Sequence, residues 1–194
     1  SVGAFNADLL LSSATLNLPS VTEIVNYGIT VTSSVLSLPV LDSVTSVIQT
    51  VSGDTSAFTA PEWTESFASV LNIQGDATVT LPSLTTIASL EGASLEPRLS
   101  AFTGGTVTLP ALMTFSGGRM EVTRPTSSIN APNLAMIDNS GFVVTSGGSL
   151  TLPAPTTYSV EILRTETFSA SQGQLAFPAL TTLDYNIPFI GPNA

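Results

Sequence analysis

At near-regular spacing along this chain, eight prolines follow an apolar-x-apolar triplet: Pro19, Pro39, Pro61, Pro82, Pro110, Pro132, Pro153 and Pro178. Successive gaps are 20, 22, 21, 28, 22, 21 and 25 residues. Self-similarity at this period is the mark of a solenoid, in which no repeat is stable alone and each buries its apolar face against the next.

The residues before each proline say what one repeat looks like. Leu18, Leu38, Ala60, Leu81, Leu109, Ala131, Leu152 and Phe177 immediately precede it. Leu16, Leu36, Phe58, Val79, Val107, Ile129, Leu150 and Leu175 lie two positions earlier, with mostly polar residues between. A period of two predicts a short strand with one buried face. Proline closes that strand because it has no N–H for a ladder and holds its predecessor extended. Two residues beyond the proline the chain is apolar again, at Val21, Leu41, Trp63, Leu84, Leu112, Leu134, Pro155 and Leu180. Three further comes another apolar position, which predicts an inward bend; in the Pro61 copy it reads as slipped by one, with Phe67 in place of Ser66.

A second strand is visible as Ile29/Val31, Leu71/Ile73, Met120/Val122 and Phe142/Val144. Gly53-Asp54, Gly75-Asp76, Gly104-Gly105, Gly147-Gly148 and Gln172-Gly173 follow as tight corners. Glycine there supplies the positive φ such a corner needs. The expected fold is all-β: a single parallel β-solenoid over residues 1–194, of about eight coils of 20–28 residues. Parallel crossovers favour right-handed coiling. At roughly 4.8 Å per coil the rod would be about 40 Å long. The long gaps read as insertions from Ala93 to Gly105 and from Glu161 to Gly173. A leucine-rich horseshoe has a similar period, but no helical segment fits between the strands and no Asn column recurs.

Composition narrows the function classes. The formal net charge is −10, and Lys and Arg together number four, all arginine. Phosphate binding needs a basic surface, so nucleic acid is not an expected partner. No apolar run reaches the roughly 18 residues of a membrane-spanning helix. The chain has no cysteine and no histidine, which removes disulfides, thiol chemistry and the usual zinc ligands. Ser1 in place of a starting methionine is what processing of a leader, or equally a trimming of the chain, would leave. With Ser, Thr, Asn and Gly at most polar positions, the expected location is extracellular or at a cell surface.

Charges avoid one part of the coil. From four residues before each proline to two after it, Glu62 is the one charged residue. Arg98, Arg119, Arg124 and Arg164 all lie in the second half of their coils. One face of the rod should therefore be uncharged, and its outward residues form two columns. The candidate interaction face is Thr15, Asn17, Ser37, Thr59, Thr78, Thr80, Thr106, Thr108, Ser128, Asn130, Ser149 and Thr151. Such a face can associate with a like face or lie along a polysaccharide, because uncharged polar groups cost less to desolvate than charges. Thr78-Val79-Thr80 and Thr106-Val107-Thr108 resemble the Thr-x-Thr arrays of β-solenoid ice-binding proteins, although Thr is also simply a good strand residue.

Catalysis finds little to work with. A glycoside hydrolase needs two carboxylates about 5–5.5 or 6.5–9.5 Å apart. Glu62 and Glu65 are candidates, with Trp63 between them as a sugar platform, though Trp63 also falls in the inward apolar column. No other cofactor is implied. Calcium is a candidate ligand at Asp54 and Asp76, on turns one coil apart, while no Gly-Gly-x-Gly-x-Asp nonapeptide occurs. The first repeat opens on Leu9-Leu10-Leu11, and the last is followed by Ile187-Pro188-Phe189-Ile190-Gly191-Pro192. The first end offers no obvious polar cap; at the last, the prolines could block further pairing or the apolar tail could dock on the next subunit, so head-to-tail self-association is an expectation alongside the lateral kind, as is a place in a longer array.

The phrases Val79-Thr80-Leu81-Pro82-Ser83-Leu84-Thr85-Thr86-Ile87 and Leu175-Ala176-Phe177-Pro178-Ala179-Leu180-Thr181-Thr182-Leu183 resemble repeats of large secreted surface proteins of planctomycete-like bacteria. They are more distantly similar to receptor L-domain repeats, whose capping cysteines are missing here. The resemblance implies a surface-located β-solenoid with a structural or adhesive role, and no catalytic residues.

Overall fold

The computed structural model describes residues 8–161 and 167–185, with the side chain of Tyr185 left aside. Every regular element among them is a β-strand, and every strand pairing is parallel. Eight coils stack into a solenoid. Each coil has three sides, not the two strands and a bend that the repeat pattern predicts.

The first side is one continuous sheet of eight longer strands: Leu9–Ser12, Gly28–Thr32, Ile48–Ser52, Val70–Gln74, Arg98–Phe102, Arg119–Thr123, Gly141–Thr145 and Phe168–Ser171. The second consists of the three-residue strands before each proline: Thr15–Asn17, Val35–Ser37, Ala57–Thr59, Thr78–Thr80, Thr106–Thr108, Ser128–Asn130, Ser149–Thr151 and Gln174–Ala176. The third is Glu23–Val25, Ser43–Thr45, Glu65–Phe67, Thr86–Ala88, Thr114–Ser116, Thr157–Val160 and Thr182–Tyr185. In the sixth coil Met136 makes a single bridge to Thr114 on this third side.

The proline corner is a four-residue turn. Leu18, Leu38, Ala60, Leu109, Ala131 and Phe177 accept at their carbonyls the N–H of the residue three positions on. Proline thus occupies the second position of each turn, where its fixed φ of about −65° is already the one required. The residues at both ends of the turn point inward, which is why the repeat reads Leu-Pro-x-Leu.

The other two corners use left-handed backbone. Ser13, Ser33, Gly53, Gly75, Thr103, Arg124, Ser146 and Gln172 each follow a long strand with positive φ. Asn26, Ser46, Ala68, Gly117 and Asn139 do the same after the third side. Non-glycine residues pay roughly 1–2 kcal/mol for this conformation. In return the ladder continues around the bend: the N–H groups of Ser13, Ser33, Asn26, Ser46, Ala68, Arg124 and Asn139 all donate to carbonyls of the following coil. Inward serines complete the corners. Ser69 Oγ donates to the Phe67 carbonyl and accepts the Val47 N–H at 3.1 Å, and Ser34 does the equivalent with Thr32 and Ala14. Buried hydroxyls tolerated in this way are hydrogen-bonded ones.

The core runs the length of the stack. Leu36, Leu38, Leu41, Val44, Val79, Leu81, Leu84, Leu109, Leu112, Phe115, Leu134 and Leu152 are fully buried, each column contributing one residue per coil. Burying such side chains contributes about 1.5–3 kcal/mol apiece against the entropy of ordering the chain. The Pro61 copy does not slip. Ser66 stays in register between Val44 and Ile87 and is buried, while Phe67 lies between Thr45 and Ala88 on the outer side. Trp63 fills the same coil and meets the Phe58 ring edge-on, centroids 6.2 Å apart, so a small residue suffices at 66.

The first insertion is also displaced from its expected place. Residues 89–97 form the excursion, at the corner after Thr86–Ala88, and Arg98–Phe102 is a regular strand. At the second, residues 162–166 lie outside the described residues, and Phe168–Ser171 is again regular strand.

One core position breaks the pattern. Gln49 stands in register between Ile29 and Leu71, is 1% exposed, and neither atom of its amide has a hydrogen-bond partner. Burying an unpaired amide costs about 1–3 kcal/mol. Replacing it as Gln49→Leu should stabilise the protein by about that amount, read as a higher urea midpoint at unchanged m-value. Conversely, a Cβ at Gly105 would lie 2.2 Å from the Ile73 carbonyl oxygen. Gly105→Ala should therefore separate the fourth and fifth coils locally and cost about 1–3 kcal/mol in the same measurement.

Candidate functional site

All twelve residues of the expected interaction face lie on the second side of the coil and point outward. Register aligns Thr15 with Val35 and Ala57, Thr78 with Thr106 and Ser128, and Ser149 with Gln174. The neighbouring column aligns Asn17 with Ser37 and Thr59, Thr80 with Thr108 and Asn130, and Thr151 with Ala176. Each strand has its middle residue inward, so the outer two side chains stand on a common surface. Thr78, Thr80, Thr106 and Thr108 form a two-by-two patch of threonines on adjacent coils. No strand of this side carries a charged residue.

The face has interruptions that the columns alone do not reveal. Its ladder divides into groups of three, three and two strands, broken after Ala57–Thr59 and after Ser128–Asn130. Val35 and Ala57 leave the first column without a hydroxyl in two successive coils. A regular hydroxyl lattice therefore extends over the fourth and fifth coils, with Ser128 and Asn130 continuing it into the sixth.

The carboxylate candidates are placed less favourably for chemistry. Glu62 and Glu65 are both exposed, at the proline turn and at the start of the third side. Trp63, between them, points into the core at 1% exposure and donates its Nε1–H to the Glu65 carbonyl at 2.6 Å. Its ring faces are packed by protein, so it offers no platform for a sugar. Asp54 and Asp76 are exposed on successive corners, with Gly75 lying against Gly53. Among the described residues no group of three or more His, Cys, Asp or Glu side chains converges. Among the described residues no helix is long and apolar enough to cross a membrane.

A charged cluster that the repeat pattern did not single out sits on the long-stranded side. Arg98 and Arg119 are register neighbours, as are Ser100 and Glu121. The Glu121 carboxylate accepts from Arg98 through Nε at 3.1 Å and also through Nη2, and Arg119 Nη1 is 3.5 Å from its other oxygen. Glu121 is 8% exposed although it points away from the core, and Ser100 Oγ beside it is buried without a partner. The two arginine side chains are about half exposed, at 44% and 47%. One carboxylate shared by two arginines ties the fifth and sixth coils together, and residues 94–97 of the insertion border the hollow beside them. The sequence signal for this pairing is the 21-residue spacing of Arg98 and Arg119, equal to one coil.

No protein-family model matches the chain, and comparison with curated proteins and with solved structures returns no match.

Trp63 is the one tryptophan of the chain, so its fluorescence reports on a single site. Emission should be blue-shifted, poorly quenched by acrylamide, and unchanged by added oligosaccharides. A saturable shift with any sugar would contradict the inward placement and restore the Glu62–Glu65 segment as a binding site.

Proposed function

We propose that this protein is a non-enzymatic structural or adhesive solenoid of an extracellular surface, working through the uncharged second side of its coil. The observation that carries the reading is the absence of charge from eight stacked strands in a chain of net charge −10. Charge elsewhere keeps the rod soluble, while this side can meet another surface without desolvating an ion. Threonine, serine and asparagine offer both donors and acceptors at fixed spacing, which suits hydroxyl-rich polymers and a like face equally. The resemblance of the repeats to bacterial surface proteins points the same way.

Polysaccharide binding on this face is the alternative favoured by the threonine patch of the fourth and fifth coils. The same patch motivates an ice-binding reading, which the short extent of the regular lattice weakens. Catalysis has less support, because the inward Trp63 removes the one aromatic group placed beside paired carboxylates.

The test places charge at the centre of the face. Thr80→Glu and Thr108→Glu, each alone, alter exposed or half-buried positions and should change stability by no more than about 0.5 kcal/mol; together they set like charges opposite one another in register and should cost up to about 1 kcal/mol more, with folding verified by circular dichroism. Co-sedimentation with insoluble polysaccharides, light scattering of the free protein and ice-shaping assays then read the three partners. The double variant should lose at least tenfold in whichever interaction the native protein shows. Equal behaviour of native and variant protein in all three would remove this face as the functional surface.

A further inference from the structure

Among the described residues, the inward columns are closed in the middle of the stack and open at its ends. Leu36, Leu38, Leu41 and Val44 of the second coil are fully buried, whereas Leu9, Leu11, Leu16, Leu18 and Ile24 of the first are only partly so. Leu9, Leu16, Leu18 and Ile24, together with Val21, Tyr27 and Ile29, line an apolar depression of about 280 Å³. The last coil repeats the situation. Leu175, Phe177 and Leu180 are partly buried, Phe168 is 40% exposed and Leu183 is 69% exposed.

We infer that the open first coil is a docking surface for the eighth coil of a second copy, so that the protein polymerises head to tail. This rests on the structural reading above but uses a different surface. The fit follows from the seven coil-to-coil interfaces already inside the molecule. Each stacks one set of inward columns on the next in parallel register, and the two end coils present the two halves of one more such interface. Placed in that register, Phe168 meets Leu9, Leu175 meets Leu16, Phe177 meets Leu18, Leu180 meets Val21 and Leu183 meets Ile24. Every matched pair is apolar. The two surfaces differ from one another, so the contact is heterologous and does not close on itself in a straight rod.

Charge sets how the assembly responds to salt. Asp8 and Glu23 belong to the first coil and Asp184 to the last, and neither end carries a cation among the described residues. Asp8 is already engaged within its own copy, accepting the Gly28 N–H at 2.8 Å. Like charges across the junction, and net charge along the rods, oppose a contact whose driving force is apolar. Screening weakens the first and leaves the second, so polymerisation should increase with ionic strength.

The experiment is sedimentation velocity of the full chain across a salt series, with one variant blocked at each end. Leu183→Glu changes an exposed side chain at the last coil, and Leu9→Glu changes the first. Leu16→Gln serves as a milder second block at that end, and thermal melting by circular dichroism verifies that all variants fold. Native protein should form species larger than the 20.0 kDa monomer, shifting upward with salt. Each blocked variant should sediment as monomer at all salt concentrations. A mixture of one variant from each end should give dimers and nothing longer, because it leaves one intact pair of ends.

Three results overturn the proposal. Native protein that stays monomeric throughout does so, including the case in which deleting residues 1–7 releases polymerisation, since those residues would then cap the first coil. Assembly undisturbed by both end blocks does so too, and loss of that assembly in the Thr80→Glu, Thr108→Glu double variant would assign it to the lateral face. Mixed variants that remain monomeric exclude a heterologous end-to-end contact even if the native protein associates.

Discussion

Backbone hydrogen bonding from coil to coil is the constraint on which the rest of this structure depends. A parallel strand has no partner within its own coil, so along the sides each N–H and C=O must find the coil before or after it. The proline turn closes partly on itself, but at the two left-handed corners the ladder has to continue from coil to coil. Left-handed residues such as Ser33, Ala68, Arg124 and Asn139 are the local solution, each turning the chain while still donating to the next coil. Conformations that are unfavourable for single residues persist because the stack on both sides fixes them. Once corners repeat in register, inward side chains necessarily form columns, and outward ones form surfaces of uniform composition.

That geometry explains why three sides of one coil can differ so much in chemistry. The second side is uncharged. The long-stranded side carries the Arg98–Glu121–Arg119 cluster, and the third carries Glu23, Glu65 and Asp184. Segregation of this kind needs only that substitutions be confined to particular columns, since neighbours in the stack lie one repeat apart in sequence. A solenoid can therefore keep its core constant while one face becomes a surface for contact. It also leaves a cost at each end, where columns stop and apolar side chains remain partly open.

Much of this was legible in the chain because the signal was local. Leu-Pro-x-Leu places two inward residues around a turn whose geometry proline already prefers, so period, fold class and the outward Thr/Ser/Asn columns could be read directly. The third side was not recognised as strand because a segment such as Ser43–Thr45 has a single inward residue and no alternation to display. Ser66 is illegible for a related reason: apolarity alone points to Phe67, while register with Val44 and Ile87 selects the serine. Long strands were visible in four coils and obscured in others, where Gln49 or Ala101 occupies an inward position. Corners were found where glycine marked them and missed at Ala68 or Asn139, whose left-handed backbone is imposed by the stack. The pairing of Glu121 with two arginines depends on register across coils, which spacing suggests but does not fix.

The most direct measurement is a distance along the long-stranded side, where register runs unbroken from Thr30 through Thr50, Asn72, Ser100, Glu121 and Val143 to Ser169. The chain has no native cysteine, so Thr30→Cys and Ser169→Cys can be spin-labelled without background. Six coil spacings of about 4.8 Å place the two sites roughly 29 Å apart. Double electron–electron resonance on labelled protein diluted in unlabelled protein should give a narrow distribution centred near that distance. A broad distribution, or a centre displaced by more than about two coil spacings, roughly 10 Å, would contradict eight in-register coils and every surface built on them.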